Sequence, residues 1–391
     1  MTKSKLILPI IVVSQFCCTA LWFAGNGVMD DLAKDFNLNS EALGHLTSAV
    51  QFGFIIGTLI FALLTIVDRF SPSKVFFISA LCGSLFNLFT IIENNNLISL
   101  LIFRFMVGFF LAGIYPVGMK IAVDYFDKGL GKSLSFLVGA LVIGTAFPHL
   151  LKGFSGELQW KLVLIFISLM AVFGGLIMLV LVPNGPYRMQ SQQLDLTALI
   201  KVFKNNKFRS AAFGYFGHMW ELYAFWAFVP VILTFYSKHH LETPLNVPVL
   251  SFLIIGLGGL SCVLGGYISQ IKGVKKTAFT ALLLSSICCV LSPIIFYSNS
   301  DILVVGFLIF WGLVVIADSP LFSTLVAQNA EAEIKGTALT IVNCIGFAIT
   351  IVSIQLINSI LGSWTPEYIF MLLAIGPILG LVSLYRNKQL S

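Results

Sequence analysis

Three side chains in this sequence carry a charge where their neighbours make charge costly. Arg104 opens the stretch Arg104-Phe-Met-Val-Gly108-Phe-Phe-Leu-Ala-Gly113-Ile-Tyr115-Pro116-Val-Gly118-Met-Lys120, which is otherwise apolar enough to cross a membrane. An arginine in hydrocarbon costs about 3 kcal/mol or more, so it faces a protein or water-filled interior and has a task there. A guanidinium stays charged and holds a carboxylate through two parallel hydrogen bonds, which suits recognition of an anion. The competing use is an internal salt bridge to an acid elsewhere in the chain. Gly108, Gly113 and Gly118 keep the helix thin enough for close approach, and Pro116 should bend it.

Glu221 is the second charge, midway along the apolar run that contains His218-Met-Trp220-Glu221-Leu-Tyr223-Ala-Phe-Trp226. An ionised carboxylate at that depth is costly, which suits a group that takes up and releases a proton. His218 stands three residues earlier on the same helix face, as do Gly214, Gly217 and Ala224 approximately, so that face should look inward. A structural ion pair or buried hydrogen bond is the alternative. Asp318, in Ala317-Asp318-Ser319-Pro320, is the third charge. It suits proton coupling together with His218, or it satisfies backbone groups that Pro320 frees. The aromatic candidates for a solute-binding wall are Trp22, Tyr115, Trp220, Tyr223, Trp226 and Trp311; packing and lipid contact are the other uses of such rings. Asn26, Asp30, His45, Gln51 and His149 beside Lys152 are candidates for an outer vestibule or ordinary interfacial residues.

Several chemistries are excluded. Gly129-Leu-Gly131-Lys132-Ser133 ends like a phosphate-binding loop, but Phe126 stands where the pattern needs its first glycine, and no strand precedes it. No zinc or metalloprotease spacing and no nucleophile elbow occurs, so neither an enzyme nor a cofactor is expected. The seven cysteines all fall in apolar runs, with Cys17-Cys18 and Cys288-Cys289 adjacent, and read as buried, inert thiols.

The elements that position these groups are membrane helices. The chain has 391 residues, 58% hydrophobic and 10% charged, against about 25% charged in a soluble domain. Twelve apolar segments are long enough to span, near 6–28, 42–66, 74–93, 97–122, 131–153, 160–183, 209–237, 246–270, 276–297, 301–326, 336–361 and 366–386. We number them spans 1 to 12. Lys3 and Lys5 precede a run too long for a cleaved signal, so span 1 is expected to be retained. The polar interruption at 184–208 separates a six-span bundle at 1–183 from a second at 209–391, and its segment 194–203 has the pattern of a surface helix. The net charge of +6 is spread over short loops and is no nucleic-acid signal. With both termini cytoplasmic, only Lys34, Lys152, Lys161 and Lys238 of the basic loop residues lie outside, as the positive-inside rule requires.

The two halves echo each other. Asp68-Arg69-Phe-Ser71-Pro-Ser-Lys74 follows span 2, and Gly266 to Gln270, Lys272, Gly273, Lys275 and Lys276 follow span 8. Tyr115-Pro116 in span 4 is matched by Ser319-Pro320 in span 10. On these residues the chain resembles the major facilitator superfamily over essentially its whole length. That family's signature after span 2 is a glycine, Asp-Arg, a second glycine and basic residues. Here Leu64 stands at the first glycine and Ser71 near the second, and after span 8 Gln270 replaces the acid. Arg104 and Gly108 match the family's span 4 signature. The wording around Leu21-Trp22-Phe23-Ala24-Gly25-Asn26 and in span 4 is similar to bacterial nitrate- and cyanate-type carriers.

The resemblance implies an all-α membrane protein with twelve helices in two pseudo-symmetric halves that alternate access to a midplane site. It also implies a cytoplasmic latch at Asp68, Arg69 and Lys272, ordinary interfacial charges being the alternative there. The expected activity is secondary transport, symport or antiport, of a small, anionic organic solute across the inner membrane. Arg104 would hold the anion, and Glu221, His218 and Asp318 would carry the coupling proton. An exporter of cationic or amphipathic compounds, with Glu221 and Asp318 as counter-charges, is the alternative. The expected partners are the solute, protons and membrane lipid, with a monomer as the working state.

Overall fold

In lipid each segment must satisfy its own backbone hydrogen bonds, and a helix does so within a single span. The computed structural model describes residues 3–126, 130–155, 159–188, 202–240, 245–331, 334–361, 363–364 and 366–387, and among them there is no strand. Among the described residues eleven helices are long and apolar enough to cross a membrane, and the shorter apolar helix Leu6–Thr19 supplies span 1, giving twelve. The chain divides into two compact units, Met1–Leu194 and Asp195–Ser391. Most of the expected surface helix at 194–203, and the loop with Lys128 and Gly129, lie outside the described residues.

In the first unit span 2 (Ala42–Leu63) packs along the first half of span 4 (Leu97–Leu111). Their backbones touch through glycine. A side chain on Gly53 would run into the Phe105 carbonyl, and one on Gly108 would run into the Val50 carbonyl. Span 3 (Pro72–Phe89) packs against span 6 (Trp160–Leu181), and span 1 (Lys3–Thr19) against span 5 (Leu130–Ser155) and span 6. In the second unit span 7 (Asn206–His240) packs against span 11 (Lys335–Ile360) and the last helix of span 12 (Ile375–Arg386). Span 8 (Val247–Gly256 and Gly258–Lys272) and span 9 (Val274–Phe296) pack against the first half of span 10 (Asp301–Ala317). There the close contact is Gly312 against the Ile254 carbonyl. Residue 312 follows 108, and 254 follows 50, by the same interval, which also separates Pro320 from Pro116 and Trp226 from Trp22. The internal repeat is thus a repeat of packing contacts as well as of hydropathy.

Spans 1, 4 and 10 are interrupted near their middles, and span 8 is interrupted at Leu257. Span 4 breaks at Ala112–Ile114 and resumes as Tyr115–Tyr125, and span 10 breaks at Asp318 and resumes as Ser319–Asn329. Pro116 and Pro320 lie in the first turns of the resumed helices, where a missing N–H costs nothing. Each proline ring would strike the carbonyl four residues earlier, so the break falls upstream of the proline and not at it. Span 1, read from sequence as continuous over 6–28, breaks at residues 20–23 before a short helix at Ala24–Gly27. No proline explains this break; the group that stabilises it lies in span 4, described below. Span 7, the repeat partner of span 1, runs unbroken past Pro230.

The residues following span 6 are strapped to the first unit. Arg188 Nη2 donates to the carbonyls of Val67, Asp68 and Phe70, the nearer two at 2.9 Å. Ser71 Oγ donates to Asn184 Oδ1 at 2.8 Å, and Tyr125 Oη donates to the Pro183 carbonyl at 2.6 Å. These bonds close off the short helix Ile66–Arg69 that carries the Asp-Arg pair.

Candidate functional site

Arg104 is 2% exposed and lies among the largest buried side chains of the protein. Its Nη2 donates to the Trp22 carbonyl at 2.5 Å and to the Leu21 carbonyl at 3.2 Å. Those carbonyls belong to the break in span 1. The guanidinium stands in for the i+4 helical N–H groups at these carbonyls, of which Leu21's also accepts from the Ala24 N–H at 3.5 Å, and so stabilises the interruption of span 1 without a proline. Arg104 Nη1 donates to Asn87 Oδ1 at 3.3 Å. Asn87 is itself fixed from span 6, donating to Ser168 Oγ at 3.0 Å and to the Leu164 carbonyl at 3.3 Å. These acceptors take three of the five N–H donors, and all are neutral. Among the described residues of its unit, no carboxylate lies within ion-pair distance of Arg104. Gly25 stands over the Nε edge, where a Cβ would sit 3.4 Å from Nε.

Trp22 is buried beside the same break with its ring 4.9 Å from that of Phe54. One turn from Thr47, which accepts from Asn26 Nδ2 at 2.8 Å, the buried Gln51 amide has no hydrogen-bond partner among the described residues. The same holds for His149 Nε2 and Thr145 Oγ1 on span 5. Nearer the end of the unit, Lys152 pairs with Asp31 at 2.7 Å, and the Trp160 indole donates to Asp35 at 2.7 Å, which anchors the helix Met29–Asp35.

Glu221 is 0% exposed in the second unit and is met by three side chains from two other spans. Trp311 Nε1 donates to Oε1 at 2.6 Å, and Cys289 Sγ donates to Oε1 at 3.3 Å. Ser285 Oγ lies 2.8 Å from Oε2. Phe225, one turn from Glu221 on span 7, stacks on the Trp311 ring at 4.5 Å and holds the indole in place. His218 Nδ1 lies 2.8 Å from Asp318 Oδ1, both side chains almost fully buried. Asp318 is the residue at the break of span 10. The sequence grouped Glu221, His218 and Asp318; in the structure His218 lies against Asp318, and Glu221 has its own partners on spans 9 and 10.

The aromatic candidates separate by unit. Tyr223 and Trp226 are buried together at 5.3 Å, with Phe347 of span 11 also 5.3 Å from Tyr223. Trp220 is half-buried and donates to the Leu372 carbonyl at 3.3 Å, in the tight turn Phe370–Ala374 of span 12. Tyr115 is half-buried at the start of the resumed span 4. In the loops Asp68 is half-buried, while Arg69 is exposed with Nε on Thr65 Oγ1 at 3.1 Å, and Lys272 is exposed at the end of span 8. Asn87 and Ser285 were not singled out from sequence, and Cys289, read there as an inert thiol, donates to Glu221. The signal available was a lone amide in span 3, and a serine and cysteine one turn apart in span 9.

Curated relatives match over parts of their length only. One is "Probable galactarate/D-glucarate transporter GudP" of Escherichia coli (strain K12), 25% identical over 201 residues, 48% of this chain and 44% of that protein. Another is "Sialic acid transporter NanX" of the same organism, 27% identical over 157 residues, 38% of this chain and 37% of that protein. The chain therefore spans less than half the length of the curated relatives it matches. Among solved structures, a bacterial homologue of the human lysosomal transporter Spinster superposes with a TM-score of 0.73 at 12% identity, over 100% of this chain and 98% of that one. The nucleoside transporter NupG superposes with a TM-score of 0.72 at 15% identity, over 99% and 100%. Both likenesses bear on the fold. The family model of the Major Facilitator Superfamily matches residues 11–354, so this chain belongs to the Major Facilitator Superfamily and is a multi-pass membrane transporter, not an enzyme.

Proposed function

We propose that this transporter moves a small organic anion across the bacterial inner membrane by alternating access, coupled to protons. The observation that carries the anion is the Arg104 guanidinium, buried with three neutral acceptors and, among the described residues of its unit, no acid within ion-pair distance. A buried charge without a counter-charge favours a ligand of opposite sign. In this reading Trp22 and Tyr115 are the aromatic solute-contacting candidates of the first unit, and Trp220, Tyr223 and Trp226 are those of the second. Gln51 and His149, buried with unused polar atoms, suit a solute that also carries hydroxyl groups. Galactarate, D-glucarate and sialic acid, for which the relatives are named, are hydroxylated carboxylates. Glu221, His218 and Asp318 form the proton-coupling group, and Asp68, Arg69 and Lys272 the gating charges. The protein works as a monomer.

The test is uptake of labelled D-glucarate, galactarate and sialic acid by proteoliposomes under an imposed pH gradient. Arg104→Lys keeps the charge but loses the planar fork, so apparent KM for the transported anion should rise about tenfold or more. Unchanged KM in a stably folded variant removes the anion assignment. Equal loss of all solutes together with lower thermal stability assigns Arg104 to holding the span 1 break alone. The orientation has both termini inside, so cysteines introduced at Lys204 and Lys238 should react with an impermeant reagent from opposite faces; reaction from one face overturns it.

A further inference from the structure

The two oxygens of the Glu221 carboxyl group meet different kinds of partner. Oε1 faces two donors, the Trp311 indole at 2.6 Å and the Cys289 thiol at 3.3 Å. An indole N–H can only donate, so Oε1 is an acceptor in both states. Oε2 faces the Ser285 hydroxyl alone among the described side chains, at 2.8 Å. A hydroxyl carries one hydrogen and two acceptor lone pairs, and the hydrogen turns to suit its neighbours. Ser285 has a second acceptor in reach, the Leu282 carbonyl of its own helix, at 3.2 Å.

We propose that Ser285 is the positioning residue that lets Glu221 bind and release a proton in place, by turning its hydroxyl hydrogen between Glu221 Oε2 and the Leu282 carbonyl. With Glu221 ionised, Ser285 donates to Oε2, and the carboxylate has all three donors. On protonation the added hydrogen resides on Oε2 and is donated to Ser285 Oγ. The serine hydrogen swings to the Leu282 carbonyl, so every polar group keeps a partner. One proton enters, one hydroxyl rotates, and no other bond changes. A buried polar group left without a partner costs about 1–3 kcal/mol, so a site lacking this second acceptor would favour one state and exchange poorly. The other titratable groups around Glu221 are His218 on its own span, Cys288 and Cys289 on span 9, and Asp318 at the span 10 break. Spans 11 and 12 meet this stretch of span 7 through Phe347, Leu372 and Gly376, none of which titrates.

The inference rests on Glu221 being the proton-coupling group, and the experiment separates the two. Infrared difference spectra of the purified full-length protein are recorded across pH, and the carboxylic C=O band absent from Glu221→Gln is assigned to Glu221. In the wild type this band should grow on acidification at the frequency of a carboxyl that donates a hydrogen bond. In Ser285→Ala it should move to higher frequency, and pH-driven accumulation of D-glucarate in proteoliposomes should fall about tenfold, the worth of roughly one hydrogen bond. Ser285→Thr retains the hydroxyl and should restore both. If Thr is too large for the site, the wild-type band position still decides, because a non-donating carboxyl absorbs at the free frequency. A Glu221 band that titrates identically in the wild type and Ser285→Ala overturns the role of Ser285 and leaves the coupling assignment intact. The absence of any titrating band sensitive to Glu221→Gln overturns the coupling assignment itself.

Discussion

The two units share a scaffold and differ in what they do with a buried charge. Gly108 and Gly312, Val50 and Ile254, Pro116 and Pro320, and Trp22 and Trp226 stand in equivalent places at one constant interval. By the same interval Arg104 corresponds to Leu308, while Glu221, His218 and Asp318 correspond to Cys17, Ser14 and Ile114. Close helix packing is thus common to both halves, and ionisable chemistry belongs to one half at a time. The partners differ in kind as well. Arg104 is held by backbone carbonyls and by an amide locked from span 6, which leaves it a fixed, permanently charged group. Glu221 is held by side chains, one of which can reverse its role. A fixed cation suits recognition, and a carboxyl with an adaptable partner suits exchange.

Glu221→Gln gives the largest break in this comparison. The amide keeps the shape and accepts from Trp311 but cannot lose a proton under these conditions, so accumulation of solute against a gradient should be abolished. Solute-for-solute counterflow, which needs no net proton movement, should persist. Accumulation that survives in Glu221→Gln moves the coupling to the His218–Asp318 pair, where Asp318→Asn is the next variant. Concentrative uptake under an inward pH gradient and counterflow from preloaded vesicles are the two measurements.

What was legible in the sequence was the part with a large local penalty. Arg104, Glu221 and Asp318 stand out because a charge in an apolar run is expensive wherever it occurs. The spans were legible from length and hydropathy, and a bend in span 4 from Pro116, although the break falls upstream of that proline. The break of span 1 was not legible, because what stabilises it is a guanidinium more than eighty residues away, bonded to Leu21 and Trp22. Asn87, Ser285 and Cys289 were hidden for a related reason. Small polar residues are common in membrane helices, and only their distant partners distinguish them from ordinary ones. Arg188 read as one more basic residue of the polar interruption, yet it secures the carbonyls of Val67, Asp68 and Phe70.

The loops at the ends of spans 2 and 8 yield the smallest effect and a clean contrast. Both place a residue at positive φ. In the first unit it is Thr65, at φ 49° and ψ 40°, immediately after the Leu64 that replaces the family's glycine. In the second it is Gly273, at φ 87° and ψ 146°. A β-branched residue is poorly suited to the left-handed region, while glycine enters it freely. A side chain on Gly273 would meet nothing within 4 Å, so Gly273→Ala tests backbone strain alone and should lower stability by about 1–3 kcal/mol. Thr65→Gly relieves strain of the same kind. It also loses the Thr65 Oγ1 acceptor of exposed Arg69, a contact of little worth, and gives the unfolded chain more freedom. The net gain should be about 1 kcal/mol, seen as an unfolding midpoint raised by roughly 2 °C in detergent. A lowered midpoint would mean that Thr65 holds the Asp68–Arg69 turn through its hydroxyl, and that the first unit's loop is stabilised by side-chain bonds where the second unit's relies on glycine.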